Sequence, residues 1–147
     1  MSDRDPARWA AYLQSAADER REVAGVGAQI GELSLDEAYD VQDALIAARV
    51  AAGDSVAGAK LGLTSKAKQQ QMGVDEPAYG WVLASSVLPA SGDVPLVELI
   101  HPRAEPELVF LIGAELSGPD VTADDVLDAT ERVVGGIEVI DSRYEAF

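Results

Sequence analysis

The chain has 147 residues and a mass of 15.5 kDa, which suits one compact domain with at most a small extension. Its 26 acidic residues outnumber 11 basic ones, and the net charge of −15 argues against binding to nucleic acid or to an anionic membrane surface. No cysteine is present, which excludes disulfides, thiol catalysis and zinc–thiolate sites, and a single histidine excludes a multi-histidine metal site. Any metal must therefore be held by oxygen ligands.

The composition predicts a folded chain outside the membrane. Hydrophobic residues make up 48% of the sequence, which is enough for a packed core. The first six residues are polar and charged, and no apolar window reaches the length of a membrane span. We therefore expect a soluble, cytoplasmic protein without a leader.

The first third of the sequence predicts helices. An apolar stripe at three- and four-residue steps predicts a helix over residues 8–22. Residues 24–33 are glycine-rich, and we expect them to be irregular. Ser34 and Glu37 form a capping-box pattern, which predicts a second long helix ending near Gly53.

The middle of the chain predicts shorter elements. Residues 56–63 read as a strand that is interrupted by two glycines, and a short helix over 66–72 should end at Gly73. A second strand is expected over 79–84. The sequence thus changes from helical to strand-rich near its midpoint.

The last third predicts two strands around a helix. Residues 105–112 form a strand pattern, and a helix is expected over 123–133 until Gly135-Gly136 breaks it. Residues 137–140 then predict a last strand. The whole chain is therefore predicted to be mixed α/β (α+β).

Two glutamates in the first of these strands are the strongest chemical signal. Glu105 and Glu107 share one strand face with Val109 and Leu111, because successive side chains alternate between faces. The other face is apolar as well, so the strand is expected to be buried on both sides. Two buried carboxylates repel each other, so either one is protonated or a hard ion such as Mg²⁺ or Mn²⁺ lies between them. The alternative is a solvated pair at the wet end of the strand, with Arg103 as its partner.

Three further positions are candidates for the site. Glu138 is another acid within an apolar strand, either as a third oxygen ligand or as an edge carboxylate that faces water. Lys60 has apolar neighbours and can bind a substrate carboxylate or stabilise an enolate; the alternative is an edge lysine that opposes aggregation. Ser142 and Arg143 can bind an acidic substrate, or they form a plain strand end.

Several segments together resemble a known enzyme family. They are G-A-K-L-G-L-T-S at 58–65, Q-Q-Q-M-G-V-D-E-P at 69–77 followed by Y-G at 79–80, H-P-R-A-E-P-E at 101–107 and E-V-I-D-S-R-Y at 138–144. In these segments the chain resembles the 2-hydroxypenta-2,4-dienoate (2-keto-4-pentenoate) hydratases. With the 4-oxalocrotonate decarboxylases, these enzymes belong to the fumarylacetoacetate hydrolase superfamily. The resemblance runs from about Tyr12 to the last residue.

The resemblance implies a fold and a set of site residues. Residues 1–78 would form an N-terminal helical α/β part, and residues 79–147 the first strands of a β-rich catalytic domain. Family members continue for roughly as long again, so the chain looks like the N-terminal half alone. The implied ligands of one Mg²⁺ or Mn²⁺ are Glu105, Glu107 and Glu138, with Lys60 as a catalytic cation near the substrate.

The resemblance also implies a reaction. It is the metal-dependent hydration of 2-hydroxypenta-2,4-dienoate-type substrates to 4-hydroxy-2-oxo acids during meta-cleavage catabolism of aromatic or steroid rings. We expect a lyase that forms a homo-oligomer and works beside other enzymes of the same catabolic pathway. Decarboxylation of a 4-oxalocrotonate-type substrate on the same scaffold is the nearest alternative, and a non-catalytic fragment or subunit is another. The 147-residue chain alone is expected to be inactive.

One position departs from the family pattern. Many relatives carry an acid immediately before the Tyr-Gly or Phe-Gly pair, and this chain has Ala78 there. A carboxylate base is therefore missing at that point.

Overall fold

A computed structural model describes residues 3–145 of the chain. Residues 1, 2, 146 and 147, the outer ends of the two predicted domains, lie outside the described residues. Within this range the elements are α1 (Pro6–Asp18), α2 (Val26–Ile30), α3 (Leu35–Ala51), β1 (Val56–Gly62), α4 (Lys66–Met72), β2 (Ala78–Leu83), single-turn 3₁₀ helices at Ala84–Ser86 and Leu96–Glu98, β3 (Arg103–Ile112), α5 (Ala123–Ala129) and β4 (Thr130–Ile140).

The chain divides into two compact units. The first contains the residues up to Ile100 together with the segment that starts at Arg143, and the second contains His101–Ser142. The predicted domain boundary after residue 78 falls inside β2, which pairs with β1 in the first unit. That boundary concerns the complete catalytic fold and stays a prediction.

The core of the first unit forms between α1 and α3. It consists of apolar side chains that recur at helical spacing, joined by two from the segment between these helices. Tyr12 and Leu45 are partly buried against it. The apolar stripe predicted for residues 8–22 is therefore the face of α1 that packs, whereas α3 contributes Val41 and the partly buried Leu45. The buried members of the core are Trp9, Leu13, Ala16, Val23, Val26 and Val41.

Helix α1 begins two residues before its predicted start and ends four residues before its predicted end. The Asp5 side chain accepts a hydrogen bond from Ala7 N, and Pro6 occupies the first turn. Arg20 then has a left-handed backbone with φ 51°, which turns the chain so that Val23 enters the core. The charged end of the predicted helix is therefore a turn, which leaves its polar groups in water.

Helix α3 has the predicted capping box. Ser34 Oγ accepts from Glu37 N, and Glu37 Oε2 accepts from Ser34 N. Gly53, at φ 103°, lies just past the C-terminus, in a conformation that favours glycine. The preceding segment is less irregular than expected, because it contains the short helix α2.

The chain returns to the first unit near its end. Val23 N donates to Arg143 O at 2.8 Å, and Glu145 N donates to Val23 O at 3.1 Å, so Tyr144 forms a parallel bridge with Val23. Burial raises the pKa of the Tyr144 phenol. A segment more than a hundred residues away in sequence thus completes the first unit.

Each unit contains one antiparallel two-stranded ribbon. In the first, β1 pairs with β2, and Lys60 lies opposite Gly80. In the second, β3 pairs with β4, with Glu105 opposite Glu138. The content of helix and small sheets agrees with the predicted mixed α/β class. Among the described residues, no helix is both long and apolar enough to cross a bilayer.

The predicted end of the last helix is wrong. Helix α5 is capped by Thr122 but stops at Ala129, and the residues from Thr130 onward are already in β4. Gly135 and Gly136 lie inside this strand instead of breaking a helix. The β-branched residues of 130–134 pair with the apolar end of β3, and this non-local pairing outweighs the helix signal.

The predicted burial of the glutamate strand on both sides is also wrong for this chain. All ten residues of β3 are exposed. A two-stranded ribbon can cover only one edge of each strand, so its faces remain open unless another layer packs on them. The exposed apolar side chains include Leu108, Phe110 and Ile137.

Candidate metal centre

The three predicted metal ligands lie on one face of the β3–β4 ribbon. Glu105 and Glu107 are two residues apart on β3 and therefore project from the same face. Glu138 is the direct cross-strand partner of Glu105, and facing residues of a pair project to the same side. The register thus adds a third acid to the pair that alternation alone predicts.

The carboxylates of these three residues converge. One oxygen from each lies within 4.8 Å of an oxygen of the others, a cluster of three found within residues 3–145. Oxygens around one octahedral Mg²⁺, at about 2.1 Å from the ion, lie about 3–4 Å apart. Small side-chain rotations would therefore bring the three oxygens to one hard cation, and the all-carboxylate donor set fits Mg²⁺ or Mn²⁺.

The third acid is the feature by which this cluster differs from the solvated pair of the alternative. Glu105 and Glu107 are exposed, and exposed acids are stable in water without an ion. Glu138, however, is half-buried and brings a third negative charge to the same point. Arg103 stands on the same strand face two residues before Glu105, so a protein cation is also available there.

The ribbon is tied together next to the cluster. Asp141, just past β4, accepts a hydrogen bond from His101 N at 2.6 Å, just before β3. The two chain segments that enter and leave the ribbon are therefore held side by side. Both residues belong to the segments that resemble the enzyme family, but only the structure shows that Asp141 holds the backbone of His101.

Lys60 has three glycines as neighbours on its face of the β1–β2 ribbon. Gly58 and Gly62 are its neighbours along the strand, and Gly80 is directly opposite. A Cβ atom added to Gly58 or Gly62 would meet nothing within 4 Å, and the Lys60 stem passes 3.4 Å from the Cβ position of Gly80. Lys60 itself is half-buried. The predicted space beside this lysine is present, and its catalytic role stays a prediction.

Ala78, which stands where many relatives carry an acid, lies on the same ribbon face as Lys60. Ala78 pairs with Gly62, so it projects to the side of Lys60. An acid here would stand near the lysine, and the methyl group of alanine supplies neither charge nor proton.

Gln69, a residue of the resemblance segments, proves to be structural. It is buried in α4, donates from Nε2 to Leu63 O at 2.8 Å and accepts from Lys66 Nζ at 3.0 Å. Leu63 has a left-handed backbone with φ 56° directly after β1. Gln69 thus stabilises the sharp turn that follows the Lys60 strand.

Ser142 and Arg143 are neighbours in sequence at the boundary between the two compact units. Ser142 is the last residue of the second unit, and Arg143 is the first to return to the first unit. Both are half-buried, and Arg143 Nε has no hydrogen-bond partner among the described residues. Their role in substrate binding stays a prediction.

Comparisons with known proteins find decarboxylases and hydratases that are similar to this chain. A 4-oxalocrotonate decarboxylase from a Pseudomonas species is 39% identical over 138 residues, which cover 94% of this chain and 52% of that enzyme. A 2-hydroxypent-2,4-dienoate hydratase from Pseudomonas putida is 39% identical over 134 residues, 90% of this chain and 60% of the relative. No protein-family model matches the chain.

A solved structure has the same fold over the whole chain. It is a 4-oxalocrotonate decarboxylase from Pseudomonas putida complexed with magnesium and adipate, with a TM-score of 0.92 and 35% identity over 100% of this chain and 56% of that one. The chain thus spans about half the length of the relatives it matches. The resemblance predicted from the sequence segments is confirmed, for hydratases and decarboxylases alike.

Proposed function

We propose that this chain supplies the metal-binding half of a lyase that hydrates 2-hydroxypenta-2,4-dienoate-type substrates to 4-hydroxy-2-oxo acids. The observation that carries the proposal is the convergence of Glu105, Glu107 and Glu138 on one ribbon face. The relative named as a 2-hydroxypent-2,4-dienoate hydratase supports the choice of reaction. A fumarylacetoacetate-hydrolase-like catalytic fold is part of the proposal.

The proposed cofactor is Mg²⁺ or Mn²⁺. The three glutamates would hold it, and a similar solved structure contains magnesium. When bound, the ion would act as a Lewis acid toward the negative charge that develops on a 2-oxo acid during ketonisation. The all-oxygen donor set does not discriminate between these two ions.

Lys60 would act on the substrate by its charge. Its ammonium group is carried on a half-buried stem beside three glycines, which leave room for a small acid. A cation held there would bind the substrate carboxylate or stabilise the dienolate that precedes water addition. With Ala78 on the same face, we propose that the proton acceptor for the attacking water is not a carboxylate at that position.

Decarboxylation of a 4-oxalocrotonate-type substrate is the second candidate. It is favoured by a 39%-identical relative and by a solved structure that both bear the decarboxylase name. Both reactions pass through a dienolate, so the same carboxylates and lysine serve either one. In both cases we propose a homo-oligomer that works with other enzymes of the same catabolic pathway.

The test uses hybrid enzymes. In one hybrid, this chain replaces the matching N-terminal segment of the Pseudomonas putida hydratase; in the other, it replaces that of the decarboxylase. We expect metal-dependent formation of a 4-hydroxy-2-oxo acid from the dienoate, measured by mass spectrometry. Release of CO₂ from 4-oxalocrotonate by both hybrids, without hydration, would favour the second candidate.

The metal ligands are tested in the same hybrids. Glu107→Gln should abolish activity, because it removes a carboxylate oxygen from the cluster, whereas Glu115→Gln, in the loop after β3, should leave activity unchanged. Activity that survives both EDTA and Glu107→Gln would contradict the proposed metal site. The chain on its own is expected to be inactive, since its exposed ribbon leaves the site open to water.

A further inference from the structure

Four positions form the patch on which the carboxylates converge. Residues 105 and 107 stand on β3, and residues 138 and 136 stand opposite them on β4. Three of these positions carry glutamate, and the fourth carries Gly136. We call these four residues the ligand patch.

The position of Gly136 has too little room for a Cβ atom while Val109 keeps its present rotamer. A Cβ atom added there would lie 2.8 Å from Val109 Cγ2. Carbon atoms in favourable non-bonded contact are about 3.5–4.0 Å apart, so even a methyl group would collide. Val109, two residues beyond Glu107 on the same face, therefore occupies the fourth position of the ligand patch.

Space rather than backbone conformation is what requires glycine here. Gly136 is not among the residues with positive φ, so its backbone is one that other residues can adopt. The adjacent Gly135 pairs with Leu108 on the opposite face, and a Cβ atom added to it would meet nothing within 4 Å. The two glycines thus lie on opposite faces of the ribbon, and only Gly136 is in close contact with a neighbouring side chain.

We propose that Gly136 is a positioning residue for the metal ligands, an inference that rests on the proposed metal site. Glu107 is the direct cross-strand partner of Gly136, whereas Glu105 and Glu138 are partners of each other. A side chain at position 136 would push against Val109 and displace β3 next to Glu107. The Glu107 carboxylate would then move away from the other two, and the three oxygens would no longer meet at one ion.

The test is Mn²⁺ affinity of the 147-residue chain, measured from the electron paramagnetic resonance signal of free Mn²⁺. Gly136→Ala should weaken binding by about tenfold or more, the range seen when residues behind metal ligands are changed. Gly135→Ala is the matched control, and it should leave the affinity unchanged. The double variant Val109→Ala with Gly136→Ala removes the collision and should recover most of the affinity.

Each outcome is decisive. Recovery in the double variant separates positioning from general destabilisation, because the alanine at position 136 is kept and only the collision is removed. Gly135→Ala controls for the loss of a glycine from the same strand. If Gly136→Ala fails to fold, as seen by circular dichroism, the double variant still has to fold and bind Mn²⁺. Unchanged affinity in Gly136→Ala, or no recovery in the double variant, overturns the role of Gly136 alone. No Mn²⁺ binding by the unaltered chain overturns the proposed metal site and this inference with it.

Discussion

The space around Lys60 depends on neighbouring residues that have no side chains. Three glycines flank this lysine on its ribbon face, and Gln42 Oε1 lies 3.5 Å from the Cβ position of Gly80, next to the Lys60 stem. An edge lysine that serves only to prevent aggregation has no need of such space. A role of Lys60 toward a bound acid stays a prediction.

The expected result for Lys60→Ala is a loss of more than about tenfold in kcat/KM in the hybrid hydratase, the scale of one lost electrostatic contact in a transition state. Lys68→Ala, on the exposed side of α4, is the matched control for the loss of one positive charge. Steady-state kinetics with the dienoate measure both. Equal kinetics for the two variants would mean that Lys60 is a surface lysine.

At this scale the sequence predicts side-chain faces but not partners. Alternation along the strand is enough to place Glu105 and Glu107 together. The register that brings Glu138 opposite Glu105 is a non-local property, set by pairing along the whole of β3 and β4. For the same reason the role of Gly136 could not be predicted, since its constraint comes from Val109 on the other strand.

Asp54 connects several elements of the first unit. Its carboxylate accepts from Ser85 Oγ at 2.6 Å, from Ser55 N at 2.9 Å and from Arg49 Nη2 at 3.1 Å. It thereby joins the end of α3 to the start of β1 and to the turn after β2. The Ser85 hydroxyl, followed by the Ser55 amide, lowers the pKa of Asp54 from 3.8 to about 2.

This lowered pKa predicts a pH-dependent stability. The folded-state pKa lies below the unfolded one, so the stabilisation is fully present above about pH 4 and is lost as the pH falls toward 2. Asp54→Asn should lower the urea midpoint at pH 7, and the difference from the unaltered chain should shrink between pH 4 and 2. Tryptophan fluorescence reports the transition, with Asp40→Asn on the exposed side of α3 as the control. A difference that is constant with pH would contradict this role.

The elements differ in how far local signals determine them. Helix α4 is predicted to the residue, because Ser65 caps it and Gly73 ends it in a left-handed conformation. Helix α5 has an equally good cap at Thr122, yet its predicted length is wrong. Its start is a local property, but its end depends on β3, which takes the residues from Thr130 into a strand.

On the scale of the molecule, the β3–β4 ribbon has two chemically different faces. One carries the glutamates together with Val109 and Leu111, and the other carries apolar side chains such as Leu108 and Ile137, which are 73% and 77% exposed. Contiguous apolar surface of this kind attracts other apolar groups. The two faces should therefore respond independently to substitution.

This independence can be measured with a hydrophobic dye. The chain should bind anilinonaphthalene sulfonate, and the double variant Leu108→Lys with Ile137→Lys should lose most of the dye fluorescence while its Mn²⁺ affinity stays unchanged. Leu127→Lys, an exposed position on α5, controls for the added charge. Dye binding that persists in the double variant would place the apolar surface elsewhere.

The bridge between Val23 and Tyr144 has a consequence for biosynthesis. The two strands of the bridge are separated by roughly 120 residues, which a ribosome adds in about 6–24 s at ordinary rates of synthesis. During that interval α1 and α3 can already pack, since both helices end by residue 51. The backbone groups of Val23 can form their hydrogen bonds only after Arg143 and Glu145 have been synthesised. The unit whose helices are synthesised first is therefore completed only at this late stage.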